Sequence, residues 1–164
     1  MKSKRLQDNE GQPAGTRLPW AEVLEELPLD ERALRESAAL MPVIAQQHDT
    51  GEVLMLAWMN RDALEETLRT GRVCYWSRSR GELWRKGERS GQVQHLVEAR
   101  LDCDGDTLLV RVDQRGPACH TGRRSCFYNR IDGDAVVVAE SPQIDPEALY
   151  SGASPGADGR SDGQ

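Results

Sequence analysis

Residues 93–112 read VQHLVEARLDCDGDTLLVRV and predict a β-hairpin. The runs 93–101 and 108–112 are rich in strand-forming residues. Between them stands Asp104-Gly105, a strong signal for a tight turn. The chain is therefore expected to contain an antiparallel strand pair with acidic residues and a cysteine at its tip.

Strand-like runs continue outward from this hairpin. Residues 43–45 and 53–56 flank His48-Asp49-Thr50-Gly51 and predict a second hairpin with a slightly longer loop. Two further strands are expected at 73–77 and 135–139. Together these runs predict a mainly antiparallel β-sheet.

Three short helices are expected beside the strands. The first begins near Trp20, and a second, with Asp30 as its cap, extends to Met41. The third has Asn60 as its N-terminal cap and Gly71 as its stop signal. The predicted fold class is therefore α+β, a mainly antiparallel sheet with a few short helices.

Composition divides the 164 residues into one folded domain and two ends. Residues 1–19 are predicted to be a disordered lead, 20–140 the domain, and 141–164 a flexible tail. No apolar run approaches the ~20 residues of a membrane span, and the basic N-terminus lacks the apolar core of a secretory signal. We therefore expect a cytoplasmic protein with reduced thiols and no membrane contact. The net charge of −6 argues against general nucleic-acid binding.

The segment 69–91 departs from this acidic average. It carries seven basic residues against two acidic ones, which favours a site for an anionic ligand over the alternative of a solvated basic face. Arginine binds phosphate bidentately, glycine lets the backbone approach a ligand, and an indole offers a stacking face to a base. The natural partner is a nucleotide. The candidate contacts are Ser77, Arg78, Ser79, Arg80, Trp84, Lys86, Gly87, Glu88, Ser90 and Gly91.

The tip of the first hairpin alternates two kinds of metal ligand. On the strand that enters Asp104-Gly105, alternation places Asp102 and Asp104 on one face and Cys103 on the other. Carboxylates suit a hard cation such as magnesium, and a thiolate suits zinc. Asp106 lies past the turn, so alternation does not place it. The plain alternative is a polar turn without a metal.

Cys119 and Cys126 extend the thiolate set and lack the CxxC spacing of a structural zinc knuckle. Three thiolates leave one tetrahedral position open, which a catalytic zinc requires. His120 is then a candidate fourth ligand or a general base. Cys74 stands among apolar residues and is expected to be buried, and disulfides are disfavoured in a reducing compartment.

Four ordered motifs resemble the phosphoribosyl-AMP cyclohydrolase family over residues 43–128. Each motif is weak alone, and their combination is specific. They are Val53-Leu54-Met55 with Met59-Asn60; Ser77-Arg78-Ser79-Arg80 through Leu83-Trp84 and Lys86-Gly87-Glu88 to Ser90-Gly91; Asp102-Cys103-Asp104-Gly105-Asp106; and Gly116-Pro117-Ala118-Cys119-His120-Thr121-Gly122 to Ser125-Cys126-Phe127.

This resemblance implies an intertwined homodimer that hydrolyses the N1–C6 bond of the adenine ring of phosphoribosyl-AMP by zinc-activated water. The product is the ProFAR formamidine-carboxamide nucleotide, in the third step of histidine biosynthesis. His120 would be a base or proton shuttle. Only 36 residues follow Tyr128, which implies a monofunctional chain without a fused pyrophosphatase domain. Per subunit, one Zn²⁺ would be held by Cys103 of the partner subunit with Cys119 and Cys126, and one Mg²⁺ by Asp102, Asp104 and Asp106.

Two rivals use similar residues. A zinc nucleobase deaminase needs H-x-E and P-C-x-x-C motifs, and the chain has neither. A structural-zinc module that binds nucleic acid through the basic segment would show steeply salt-dependent binding and no turnover. The acidic net charge and the open zinc position count against that module.

Overall fold

A computed structural model describes residues 17, 19–27 and 40–151. It confirms the α+β class predicted from the sequence. No helix within these ranges is long and apolar enough to cross a membrane. The helices are α1 (Trp20–Glu26), α2 (Arg61–Thr70) and α3 (Ala148–Ser151), and the strands are β1 (Met41–Gln47), β2 (Val53–Met59), β3 (Cys74–Ser77), β4 (Glu82–Arg85), β5 (Gln94–Leu101), β6 (Leu108–Gln114), β7 (Asn129–Asp132) and β8 (Ala135–Val138).

The main sheet joins the two predicted hairpins in the order β2-β1-β6-β5. Within each hairpin the strands are antiparallel, as predicted. The hairpins meet through β1 and β6, which run parallel with Val43 opposite Leu108. The sheet is therefore mixed, because turn signals specify each hairpin but not the pairing between distant strands.

The core lies where one face of this sheet meets α2. Val43 and Ala45 of β1 and Val110 of β6 are fully buried on that face, with Ala63 and Leu64 from the helix. Alternating burial along β1 and β6 reflects the period-2 geometry of strands that have one covered face. The sheet is thus a rigid base for the loops at its edges.

Helix α2 has the caps that its sequence predicts. The Asn60 side-chain oxygen accepts a hydrogen bond from the Ala63 N–H at 2.9 Å. Gly71 ends the helix with φ of 70°, a left-handed conformation that costs glycine least. The buried Thr67 hydroxyl accepts from the Cys74 N–H at 2.9 Å, which joins the helix to β3.

Two predicted elements fall mainly outside the described residues. The expected second helix, residues 30–41, is described only at its end, where Met41 instead begins β1. Residues 152–164 of the predicted tail also lie outside the described residues. By contrast, the helix expected near Trp20 is present as α1.

The predicted nucleotide-binding segment contains a strand that its composition did not reveal. Strand β4 pairs with β3, placing Tyr75 opposite Trp84 with ring centroids 5.6 Å apart. Arg85 then reaches Glu66 of α2 with N–O distances of 2.6 and 2.8 Å. Arg85, one of the basic residues of the segment, is therefore paired with a carboxylate of α2 and attaches β4 to that helix.

Candidate active site

A cavity of about 470 Å³ lies between the β3–β4 hairpin and the loop that carries Cys119 and Cys126. It brings the predicted nucleotide-binding segment and two of the predicted zinc ligands to one place. The predicted residues on its wall are Ser77, Ser79, Arg80, Trp84, Lys86, Gly87, Glu88, Ser90, Cys119, His120 and Cys126.

The loop between the two cysteines is a tight structure held by its own backbone. The Cys119 N–H donates to the Arg123 carbonyl at 3.1 Å, and the Gly122 N–H donates to the Cys119 carbonyl at 3.1 Å. The Thr121 hydroxyl donates to the Cys119 sulfur at 3.1 Å. Such a bond stabilises negative charge on sulfur, which suits a metal-ligating thiolate.

The Cys126 end of this loop is attached to the main sheet. The Cys126 N–H donates to the Leu54 carbonyl at 2.8 Å, and the Ser125 hydroxyl donates to the Val53 carbonyl at 2.8 Å. Both acceptors belong to β2. The position of the Cys126 sulfur is therefore set by the sheet, which gives the precision that a metal site needs.

The neighbourhood of Cys119 affects the Cys126 thiol. Burial and the neighbouring Cys119 thiol raise the pKa of Cys126 to about 12. A raised pKa keeps the Cys126 thiol protonated at neutral pH, and a bound cation would displace that proton. This is the behaviour of a ligand pair for a thiophilic metal ion.

Lys86 supplies a buried positive charge to the same cavity. Its side chain is 6% exposed, and desolvation lowers its pKa against the opposing attraction of Cys126 and Cys119. Its ammonium group lies 5.9 Å from the ring centroid of Trp84. A buried ammonium beside an aromatic face is suited to an anionic, aromatic ligand.

Two predicted substrate contacts are not on the cavity wall. The Arg78 guanidinium lies 4.5 Å from the ring centroid of Trp58, and Gly91 closes a turn by donating its N–H to the Gly87 carbonyl at 2.9 Å. Arg80 is on the wall, but it also bonds to its neighbours: Nε lies 3.1 Å from the Ser77 hydroxyl and 3.2 Å from Glu82. The anion-binding surface is thus narrower than the sequence segment suggests.

Several wall residues were missed by the sequence reasoning. Gln92 packs against two glycines: a Cβ at Gly87 would lie 2.5 Å from the Gln92 carbonyl carbon, and a Cβ at Gly116 would lie 1.7 Å from the side-chain amide oxygen of Gln92. Leu149 and Tyr150 come from residues assigned to the tail. No local signal marks them, because their contact with the site depends on the path of the chain after β8. Six other wall residues were given no individual role: Met55, Leu83, Pro117 and Ala118, which belong to the family motifs, and Glu82 and Arg89, which belong to the basic segment.

The β5–β6 tip differs from its prediction. Strand β5 ends at Leu101, and the Asp102 side-chain oxygen accepts hydrogen bonds from the N–H groups of residues 105, 106 and 107 at 3.0, 3.0 and 3.2 Å. The prediction that Asp102 and Asp104 face away from Cys103 is therefore wrong, because strand alternation stops before the turn. The ligand atoms of Asp102, Cys103 and Asp104 instead lie within 4.8 Å of one another.

This tip cluster has the chemistry of a cation site. Desolvation, with the charges of Asp104 and Asp106, raises the pKa of Asp102. A cation would relieve that repulsion. Asp106 is not within the 4.8 Å group, and its carboxylate accepts from the Thr107 hydroxyl at 3.1 Å. The structure thus places a possible metal-binding group at residues 102–104.

The tip and the cavity are separate within one chain. The tip lies at one end of β6, and the loop to Cys119 leaves the other end, roughly 20 Å away for a strand of this length. Cys103 is exposed and is not on the cavity wall. One chain therefore does not unite the three predicted zinc ligands.

Comparison with known proteins gives one consistent family. A sequence model of the phosphoribosyl-AMP cyclohydrolase family matches residues 55–128. The chain is 68% identical over 145 residues to the phosphoribosyl-AMP cyclohydrolases of Halorhodospira halophila and of Alkalilimnicola ehrlichii, covering 88% of this chain and 98% of each relative. It is 60% identical over 148 residues to that of Chromohalobacter salexigens, covering 90% and 97%.

Proposed function

The chain belongs to the phosphoribosyl-AMP cyclohydrolase family, and we propose that Cys119 and Cys126, with the partner subunit's Cys103, hold the zinc ion that its reaction uses. The reaction hydrolyses the N1–C6 bond of the adenine ring of phosphoribosyl-AMP, a step of histidine biosynthesis. The observation that carries the proposal is the single cavity shared by both cysteines, His120 and the basic β3–β4 hairpin.

The donor chemistry fits zinc. Cys119 and Cys126 offer two neighbouring sulfur ligands, and sulfur suits a borderline-soft ion, which would displace the Cys126 proton on binding. When bound with one position open, zinc lowers the pKa of water from ~15.7 to ~7 and so supplies a nucleophile at neutral pH. In the described part of the chain, Cys119 and Cys126 belong to no group of three candidate ligands within 4.8 Å. A third ligand is therefore needed from elsewhere.

A second copy of the chain is the proposed source of that ligand. Cys103 is exposed at the β5–β6 tip, roughly one strand length (~20 Å) from where the Cys119 loop begins. The β7–β8 hairpin also exposes an unusual amount of apolar surface, with Ile131, Val136 and Val138 at 79%, 68% and 59%. In a homodimer, the partner subunit would cover the apolar β7–β8 hairpin, and each β5–β6 tip would reach the cavity of the other subunit. Such a dimer would explain both the exposed apolar surface and the distance between Cys103 and the Cys119 loop.

The carboxylates at the tip are proposed to hold magnesium. Asp102 and Asp104 are already close, and Asp106 lies on the same turn. Oxygen ligands of this kind suit a hard divalent cation, and each subunit would then carry one zinc and one magnesium ion. In the proposed dimer the tip that donates Cys103 brings its carboxylates to the partner's cavity.

The remaining wall residues are proposed to bind and orient the nucleotide. Lys86, Arg80 and the serines face the phosphates, and the Trp84 ring faces the base. Ring opening forms a C6–O bond, breaks the C6–N1 bond and moves a proton from the attacking water to N1. His120, exposed on the cavity wall, is placed to move that proton as base or shuttle.

We further propose a cytoplasmic location and a domain that includes not only the predicted residues 20–140 but also α3, because Leu149 is buried and lies on the cavity wall. All four cysteines are free in the structure, and thiolate ligands persist in a reducing compartment. The proposed partners of the protein are a small nucleotide and a second copy of the chain, and we propose no nucleic-acid or membrane partner.

The proposal is tested by mixing the purified protein with phosphoribosyl-AMP, zinc and magnesium, and following ring opening by ultraviolet absorbance. A zinc-selective chelator should abolish turnover. Cys119→Ser should lose zinc and turnover together, whereas the matched variant Cys74→Ala, at a buried cysteine off the cavity wall, should keep both. Full turnover by zinc-free protein would refute the assignment.

The variant Asp104→Asn tests whether zinc and magnesium bind at separate sites. It should weaken the magnesium dependence of turnover while zinc content, measured by mass spectrometry of the metals, stays near normal. The control is Asp113→Asn, which changes an exposed carboxylate near the end of β6 that is away from the tip. Loss of both metals together would indicate a single mixed site. This outcome is worth testing because the Cys103 sulfur lies within 4.8 Å of oxygen atoms of Asp102 and Asp104.

A further inference from the structure

We propose that Tyr150 presents its aromatic ring to the bound nucleotide and is a substrate-contacting residue of this enzyme. The inference rests on the proposed function of the cavity. Its basis is that the wall includes Leu149 and Tyr150, which lie far along the chain from every motif of the site.

The segment 142–151, here called the strap, is anchored on the loop between the two cavity cysteines. The N–H groups of Gln143 and Ile144 both donate to the Gly122 carbonyl, at 2.8 and 3.3 Å. A Cβ at Gly122 would lie 1.9 Å from the Ile144 carbonyl oxygen, so the contact requires glycine. The strap is therefore held in position by the same loop that is proposed to hold zinc.

The strap then turns back toward the cavity. The Asp145 carboxylate accepts from the Glu147 N–H at 2.9 Å, and the Asp145 carbonyl accepts from the Leu149 N–H at 3.2 Å. This turn starts α3 and directs Leu149 inward, where it is 6% exposed. Leu149 is thus the anchor of the strap, and its neighbour Tyr150 is carried to the cavity with it.

Tyr150 has the surface needed to contact a ligand. It is 51% exposed although it lies on the cavity wall, and among the described residues its ring takes part in no ring–ring or cation–ring contact. Trp84, the other large aromatic residue of the wall, is already engaged by Tyr75 and by the Lys86 ammonium. The cavity therefore offers a basic wall for phosphate and a second aromatic face for a nucleobase.

Steady-state kinetics of Tyr150→Ala test this placement. Stacking of a base on an aromatic side chain corresponds to roughly 5- to 140-fold in affinity. Because half of the Tyr150 surface faces solvent, we expect KM for phosphoribosyl-AMP to rise about tenfold, with kcat changed by less than about twofold. Tyr150→Phe keeps the ring and should restore KM to near the wild-type value. Ser151→Ala, at the next residue and off the cavity wall, is the control.

Zinc content and Tm are measured for each variant, so that damage to the metal loop is not mistaken for lost contact. An unchanged KM in Tyr150→Ala would overturn the inference. A Tyr150→Phe variant as poor as Tyr150→Ala would also overturn it, since the ring would then not be the contacting group. If the wild-type protein itself shows no turnover, the proposed function fails instead.

Discussion

A dimer built from two different inactive chains should regain activity if the zinc site is shared between subunits. Cys103→Ser removes the proposed ligand at the β5–β6 tip, and Cys119→Ser removes a proposed ligand on the cavity wall. Each variant alone should form dimers in which both sites lack a ligand. In a dimer of one Cys103→Ser chain and one Cys119→Ser chain, one site lacks both of these cysteines. The other site keeps Cys119 and Cys126 of the first chain and Cys103 of the second.

The expected magnitude follows from counting sites. One intact site of two predicts about half of the wild-type activity and zinc content for a pure heterodimer of the two variants. If all three ligands came from one chain, each subunit would lack a cysteine and the heterodimer would be inactive. The structure favours sharing, because the tip and the start of the Cys119 loop are at opposite ends of β6, roughly 20 Å apart.

The assay uses co-expression of the two variants with different affinity tags and purification through both. Turnover is followed by ultraviolet absorbance, and subunit composition is checked by native mass spectrometry. Doubly tagged wild-type protein sets the scale, and each variant homodimer sets the background. A pure heterodimer with no activity above that background, beside an active wild-type control, would refute the shared site.

Two further outcomes follow from the structure. Gly87→Ala should destabilise the protein by about 2–4 kcal/mol in urea unfolding, because φ is 80° and the new Cβ would lie 2.5 Å from the backbone of Gln92 and Val93. The control is Gly81→Ala, where φ is 64° and no atom lies within 4 Å of the new Cβ, so the loss should be only about 1–2 kcal/mol. Equal losses of stability in the two variants would contradict the steric argument. Hydrogen bonds donated by Arg100 and Arg111 lower the pKa of Glu98 in the folded protein. The ionised Glu98 side chain therefore stabilises the fold above its unfolded pKa of about 4.3, and this stabilisation is lost as the pH falls through the lower pKa of the folded state. Glu98→Gln should therefore be less stable than the wild type at neutral pH and should approach it as the pH is lowered, which unfolding curves across that range will show; a constant difference would argue against the linkage.

Local signals in the sequence determined most elements and much of the chemistry. Asp104-Gly105 marks the turn of the β5–β6 hairpin, and Asn60 and Gly71 bound α2 as predicted. These features depend on residues a few positions apart, whose preferences for turns and helix caps can be predicted without knowledge of the rest of the chain. The spaced motifs likewise indicated the family, which the comparisons confirm.

Only the tertiary structure decided how these parts meet. The parallel pairing of β1 with β6, the cavity shared by the β3–β4 hairpin and the Cys119 loop, and the arrival of Tyr150 at that cavity have no local signal. Each depends on side chains that pack across tens of residues, so the total free energy of the fold, not any one segment's preference, selects it. The sequence by itself therefore determined which chemical groups the protein has, and the fold decided which of them can act together.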